Sequence, residues 1–225
     1  MFRRPILILA LLLAAGCSSP SATVAPTPTP TPLPSPTKSP LPAGWSTVTR
    51  SADGFSIAIP PTWRAIDLDP QTMASAFKTM VDQNPSIGQA YSVDQMQAMV
   101  QQGIKVMAFD FGNGGETNLN VIHQALPYEL TAGDFSQLAA SQVSVQLKIA
   151  TPKIEIATVG NLDARVISYE LPFQTGSGTV KASFSQYVVV QGKEAYIITF
   201  TSRSGDAAGN RPTFDQIAAN FALLP

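Results

Sequence analysis

In the stretch "GFSIAIPPTWR" apolar and polar positions alternate, so Phe55, Ile57 and Ile59 share one face and predict a strand. Pro60-Pro61 stops it, and Trp63 opens another short segment. The period then changes from two to nearly four. Met73, Ala76, Phe77, Met80 and Val81 form one helical stripe. Asp69 is placed to cap it, Pro70 suits the first helical position, and Asn84-Pro85 ends it. A second stripe, Met96, Met99 and Val100, follows a Ser92/Gln95 capping box and stops at Gly103.

"IKVMAFDF", the turn "GNGGET" and "NLNVIHQAL" predict a strand pair. Asp134 with Gln137 predicts the start of another helix, with Phe135, Leu138 and Ala139 on one side. Its end is open, because "VSVQLKI" alternates with period two. Four strand-like runs follow at 154–159, 162–171, 180–190 and 195–201, with turn points at Gly160-Asn161 and Gly192. Finally, Phe214, Ile217, Ala218 and Phe221 recur at helical spacing. Meander strands with a few helices predict an α+β domain over residues 43–225, with no internal repeat.

The first 42 residues have a different pattern. Arg3 and Arg4 precede an apolar run from Ile6 to Ala15, too short to span a bilayer, which takes ~20 residues. Small residues then lead into Cys17: Ala14, Ala15, Gly16. This arrangement predicts a secretory signal over 1–16. It resembles the bacterial lipoprotein signal, with Ala14 where that family most often has leucine. The resemblance implies a lipidated Cys17 as mature N-terminus, bound to the bilayer on the extracytoplasmic side. Stable anchoring needs more than one acyl chain, which such a cysteine supplies. From Pro20 to Pro42 proline alternates with Thr, Ser, Ala and Leu, and Lys38 is the only charge. Such a stretch cannot bury enough apolar surface to fold. Residues 17–42 are therefore expected to form a disordered, polyproline-rich tether. About 25 residues at ~3.1 Å each reach ~75 Å.

"GFSIAIPPTW", "TNLNVI" and the pairing of "AYIITFTS" with "FDQIAANF" resemble the opening strand, middle strand and closing strand and helix of PsbP-like proteins. That group includes PsbP of photosystem II and LpqN-type bacterial lipoproteins, and a Ran-binding nuclear protein shares its fold. The resemblance implies an antiparallel sheet flanked by helices, an α/β/α sandwich. It implies a binding or assembly accessory without a shared active site, and it transfers no functional residue.

Composition narrows the chemistry. Net charge is −1 and only 13% of residues are charged, with no basic run, so the electrostatic footprint of a nucleic-acid binder is missing. One cysteine excludes an internal disulfide and a cysteine-based zinc cage. No cofactor is indicated. His123, the only histidine, shares a strand face with Leu119, Val121 and Ala125, where a structural role is expected. Ser75 and Lys78 have the S-x-x-K spacing of a serine–lysine hydrolase, but the S-D-N and K-T-G partners of that motif are absent. Asp110, Asn113 and Glu116 offer oxygen ligands for calcium on a turn, without EF-hand spacing. Met73, Met80, Met96 and Met99 either fill the core or line an adaptable groove for a partner or ligand. The expectation is a membrane-anchored binding or assembly accessory whose partner is an envelope protein or a small apolar ligand. The alternatives are an apolar-ligand carrier and a hydrolase built on Ser75/Lys78 or His123.

Overall fold

A computed structural model describes residues 41–175 and 178–225, without the side chains of residues 173–175 and 178. The segments read as a signal and a tether, with Cys17, lie outside the described residues except for positions 41 and 42. Ten strands and five α-helices are described: β1 Ser46–Arg50, β2 Phe55–Ile59, β3 Trp63–Ala65, α1 Met73–Gln83, α2 Pro85–Ala90, α3 Val93–Gln101, β4 Ile104–Asp110, β5 Asn118–Ala125, α4 Ala132–Leu147, β6 Lys153–Val159, β7 Leu162–Thr175, β8 Gly178–Gln191, β9 Glu194–Arg203, α5 Ala207–Ala219 and β10 Phe221–Leu223.

Seven strands form one antiparallel sheet in the order β3-β4-β5-β9-β8-β7-β6. β1, β2 and β10 form a second, three-stranded sheet with β2 in the middle. Helices α1–α4 cover one face of the large sheet through Met73, Phe77, Ile87, Met96, Phe135 and Ala139. The small sheet and α5 cover the other through Phe55, Ile57, Phe214, Ile217 and Phe221. The antiparallel α+β architecture flanked by helices is therefore as the sequence predicts. The second outer layer, however, is a helix beside a small sheet. β2 lies between two partners and under the main sheet, so Ser56 and Ala58 are buried along with Phe55, Ile57 and Ile59.

Helix boundaries differ from the sequence reading for local reasons. Asp69-Pro70 forms a turn before α1: the Asp69 carboxylate accepts from the Gln71 amide at 2.8 Å, and its carbonyl accepts from the Met73 amide at 2.8 Å. Asn84 ends α1 and also starts α2, accepting from the Ser86 amide at 3.2 Å. The Ser92/Gln95 capping box forms as expected, with reciprocal bonds of 2.8 and 3.3 Å. Thr131, not Asp134, caps α4, and Asp134 donates its amide to Thr131 Oγ1 at 3.0 Å. α4 runs through "VSVQL" as helix and ends at Lys148 with φ +54°. Its buried face is Phe135, Ala139, Ala140 and Val143, leaving Leu138 39% exposed. Phe221 belongs to β10 rather than to the last helix.

The β6–β7 and β8–β9 connections are two-residue turns with Gly160 and Gly192 at their first positions, φ +58° and +59°. Their surroundings differ. A Cβ on Gly160 would overlap the Phe221 carbonyl, whereas none meets anything at Gly192. Gly192→Ala should therefore cost only the left-handed backbone penalty, about 1–2 kcal/mol. Gly160→Ala should cost clearly more and loosen β10. Chemical denaturation of the two variants checks this, and equal losses would contradict it.

Candidate functional site

Three of the sequence-flagged groups are engaged in local structure. Met73, Met80, Met96 and Met99 are all buried in the helix-side core with Phe77 and Phe109. They fill the space beneath α1 and α3 instead of lining an open groove. Asp110 is buried; its carboxylate accepts from the Gly112 amide at 3.0 Å and from the Asn113 side-chain amide at 2.8 Å. Glu116 turns away to pair with Arg203. The three oxygen donors therefore build a turn and do not converge, and no acidic, histidine or cysteine cluster fit for a metal occurs among the described residues. Ser75 donates to the Thr72 carbonyl at 2.7 Å, and Lys78 pairs with Asp82 at 2.6 Å. Both are exposed and each has a partner other than the other, so the serine–lysine dyad is not assembled.

His123 is where separate elements converge. It lies on β5, on the side facing the small sheet, opposite Tyr196 of β9. The two rings stack at 4.6 Å and 4°. Its Nε2 is 2.7 Å from Glu194, and its Nδ1 faces Asp53 at 3.6 Å. Asp53, in the turn between β1 and β2, also pairs with Lys105 of β4 at 3.0 Å and Arg50 at 3.5 Å. Burial pushes the Asp53 carboxyl up, but Lys105, Arg50 and His123 together hold it below its ordinary value. Burial raises the Tyr196 phenol, helped by the nearby charges of Glu194 and Asp53. This cluster ties the β1–β2 turn to the main sheet. Among the described residues, no hydroxyl or thiol is hydrogen-bonded to the imidazole. His123 is thus held in place by the Tyr196 ring, Glu194 and Asp53.

On the opposite face the strand register places Met107, Asn120, Thr199, Gln186 and Ile167 in one row across five strands. The three central side chains are polar. Gln186 donates to Thr199 at 3.4 Å, while Asn120 Oδ1 is buried with no hydrogen-bond partner among the described residues. Leaving such an atom unpaired costs about 1–3 kcal/mol. Beside it Tyr91 packs edge-on against Phe109 at 5.4 Å. Burial pushes the Tyr91 phenol up to about 12 against the opposing hydrogen bond from Asn118. A cavity of about 30 Å³ lies between α4 and this face, lined by Gln124, Phe135, Val143, Ile167, Gln186 and Val188 among others.

Sequence reading singled out His123 but not Asp53, Lys105, Glu194 or Tyr196. These come from three other elements, and only tertiary pairing unites them. The buried row escaped for a similar reason: "NLN" looks polar in sequence, and the register alone sets Asn120 beside Thr199.

No protein-family model matches the chain, and no curated protein matches it. Among solved structures it is similar to cyanobacterial PsbP from Synechocystis sp. PCC 6803, at 15% identity and a TM-score of 0.48, covering 81% of this chain and 94% of that one. It is also similar to LpqN of Mycobacterium tuberculosis, described as involved in cell envelope biogenesis. There identity is 9%, the TM-score 0.43, and coverage 80% and 86%. Both groups named by the sequence resemblance, PsbP-like and LpqN-type, are thus among its structural neighbours.

Asp53→Asn should destabilise the protein by about 1 kcal/mol at neutral pH, since a charge-assisted pairing is lost at a mostly buried site. The folded-state pKa is depressed, so this stability is present above the ordinary aspartate range. It should fade as pH falls below about 3.8 and through the lower folded value. Parallel unfolding curves of wild type and variant between pH 7 and 2 check this; a difference that persists unchanged at pH 2 would contradict it.

Proposed function

We propose that this chain is an extracytoplasmic lipoprotein, anchored through acylated Cys17, whose head serves as a binding or assembly accessory for an envelope partner. The observation that carries this reading is the order of parts in the sequence. Arg3-Arg4, the apolar run Ile6–Ala15, Gly16 and the single cysteine come first, then the proline-rich stretch, then a head whose first strand begins at Ser46. A lone cysteine placed directly after a short apolar leader has an evident use as an acylation site, and little use as a thiol in an extracytoplasmic chain. The stretch between anchor and head suits a spacer, because its prolines favour an extended chain.

Two features support an accessory over a catalyst. Ser75 and Lys78 are committed to other partners, and His123 is held between carboxylates with no nucleophile bonded to it. Among the described residues, no helix is long and apolar enough to cross a membrane. The head, residues 43–225, acts in this proposal as one cooperative unit.

The test is metabolic labelling with an alkyne fatty acid, followed by membrane fractionation. Wild type should carry label and sediment with membranes, its first mature residue an acylated Cys17. Cys17→Ser should be unlabelled and lose most of its membrane association, on the order of tenfold or more, consistent with loss of the acyl chains. A wild-type chain found unacylated, with residues 1–16 still attached, would contradict the proposal.

A further inference from the structure

Asn113-Gly114 is the one place in the chain where glycine follows asparagine. The carbonyl carbon of an asparagine side chain is open to attack by the next backbone nitrogen. Glycine, with no Cβ, obstructs that approach least. The pair lies in the β4–β5 connection. Asn113 ends a 3-10 turn, Phe111–Asn113, and Gly114 follows at φ +71°. Both are exposed, and nothing lies within 4 Å of a Cβ built on Gly114, so water and hydroxide reach this bond.

Asp110 holds the turn closed from the inside. It is buried, and its Oδ2 accepts from the Asn113 side-chain amide at 2.8 Å. Its Oδ1 accepts from the Gly112 amide at 3.0 Å, and its carbonyl from the Gly115 amide at 2.7 Å. The nitrogen that would leave is therefore tied back, away from Gly114. The carboxylate also opposes loss of the Gly114 amide proton, which would create a second negative charge beside it. On the outside the turn rests on the junction of α1 and α2. Ser86 Oγ is 2.8 Å from the Gly114 carbonyl and 2.6 Å from Asn84 Oδ1, and a Cβ on Gly115 would overlap Asn84.

We propose that Asn113 is a site of spontaneous deamidation guarded by Asp110, reactive when the turn opens. In the open turn the Gly114 nitrogen loses its proton and bonds to Asn113 Cγ. The bond from Cγ to Nδ2 breaks, and ammonia leaves carrying that proton. Water then opens the succinimide at one of its two carbonyls, giving aspartate or isoaspartate. The sum is amide plus water to acid plus ammonia, with no other reactant. The product does not fit the closed turn, because a donor to Asp110 has become a second carboxylate facing a buried one. Conversion therefore loosens the β4–β5 connection and its seat on α1 and α2. The inference does not rest on the acylation reading.

The experiment uses the full chain bearing Cys17→Ser, kept at mildly alkaline pH either folded or in concentrated urea. Peptide mass and isoaspartate detection follow Asn113. In urea it should convert ahead of every other asparagine. In the folded chain it should convert at least about tenfold more slowly, and the ratio of the two rates should not exceed the open fraction reported by exchange of the Gly115 amide. Asp110→Asn removes the charge and sets a donor against Asn113 Nδ2, so it should raise the folded rate severalfold. Asn113→Asp, which matches one product, should lower the melting temperature at neutral pH, and less so where acid protonates both carboxylates. Equal rates in the folded and denatured chain would overturn the proposal, as would a folded rate above the open fraction. So would an Asp110→Asn chain, shown to be folded by its unfolding curve, that converts no faster. If that variant does not fold, the two wild-type rates decide alone. An Asn113→Asp chain as stable as wild type would overturn the loosening.

Discussion

The central strands of the large sheet are buried on both faces, and the rest of the architecture answers that constraint. In β9 Ala195 through Phe200 are all buried, and β5 is buried from Asn118 to Ile122. A sheet with two apolar faces needs two covers. Each large side chain taken from water contributes about 1.5–3 kcal/mol, so neither cover is dispensable. Helices α1–α4 supply one. The other combines α5 with a three-stranded sheet whose middle strand, β2, comes from one end of the described chain and whose edge, β10, comes from the other. Phe200 of β9 stacks on Phe214 of α5 at 4.4 Å and Phe55 of β2 on Phe221 of β10 at 5.5 Å, so aromatic contacts hold this cover together and to the main sheet.

Polar groups occur where this burial is interrupted. The Asp53–Lys105–His123–Glu194 cluster, with Arg50 also paired to Asp53, joins the β1–β2 turn to the main sheet. Tyr187 donates to Asp215 and lies under the Arg211 guanidinium at 5.6 Å, which ties α5 to β8 in the same manner. Both arrangements connect layers.

Much of this was legible in the sequence. Period-two runs located β2 and β4–β9, and the methionine stripes located α1 and α3. Gly160 and Gly192 marked tight turns, and Ser92 with Gln95 marked a cap that forms as expected. The misreadings have physical causes. Asp69-Pro70 looks like a helix start, but its carboxylate closes a turn first. "VSVQL" has strand periodicity, but it continues a helix already capped at Thr131 and packed through Val143. The second sheet was invisible because β10 is three residues long and takes its identity from pairing with β2. The His123 cluster was invisible for the same reason: its members are distant in sequence and meet only through tertiary pairing.

Cooperation between the two covers is the central claim, and native-state hydrogen exchange of the head tests it most directly. If both layers depend on the doubly buried sheet, the amides of β2 should exchange with the same opening free energy as those of β5 and β9, in one global event. If β1, β2 and β10 lose protection together at a lower free energy while β5 and β9 remain closed, the small sheet is an appendage and the account is wrong.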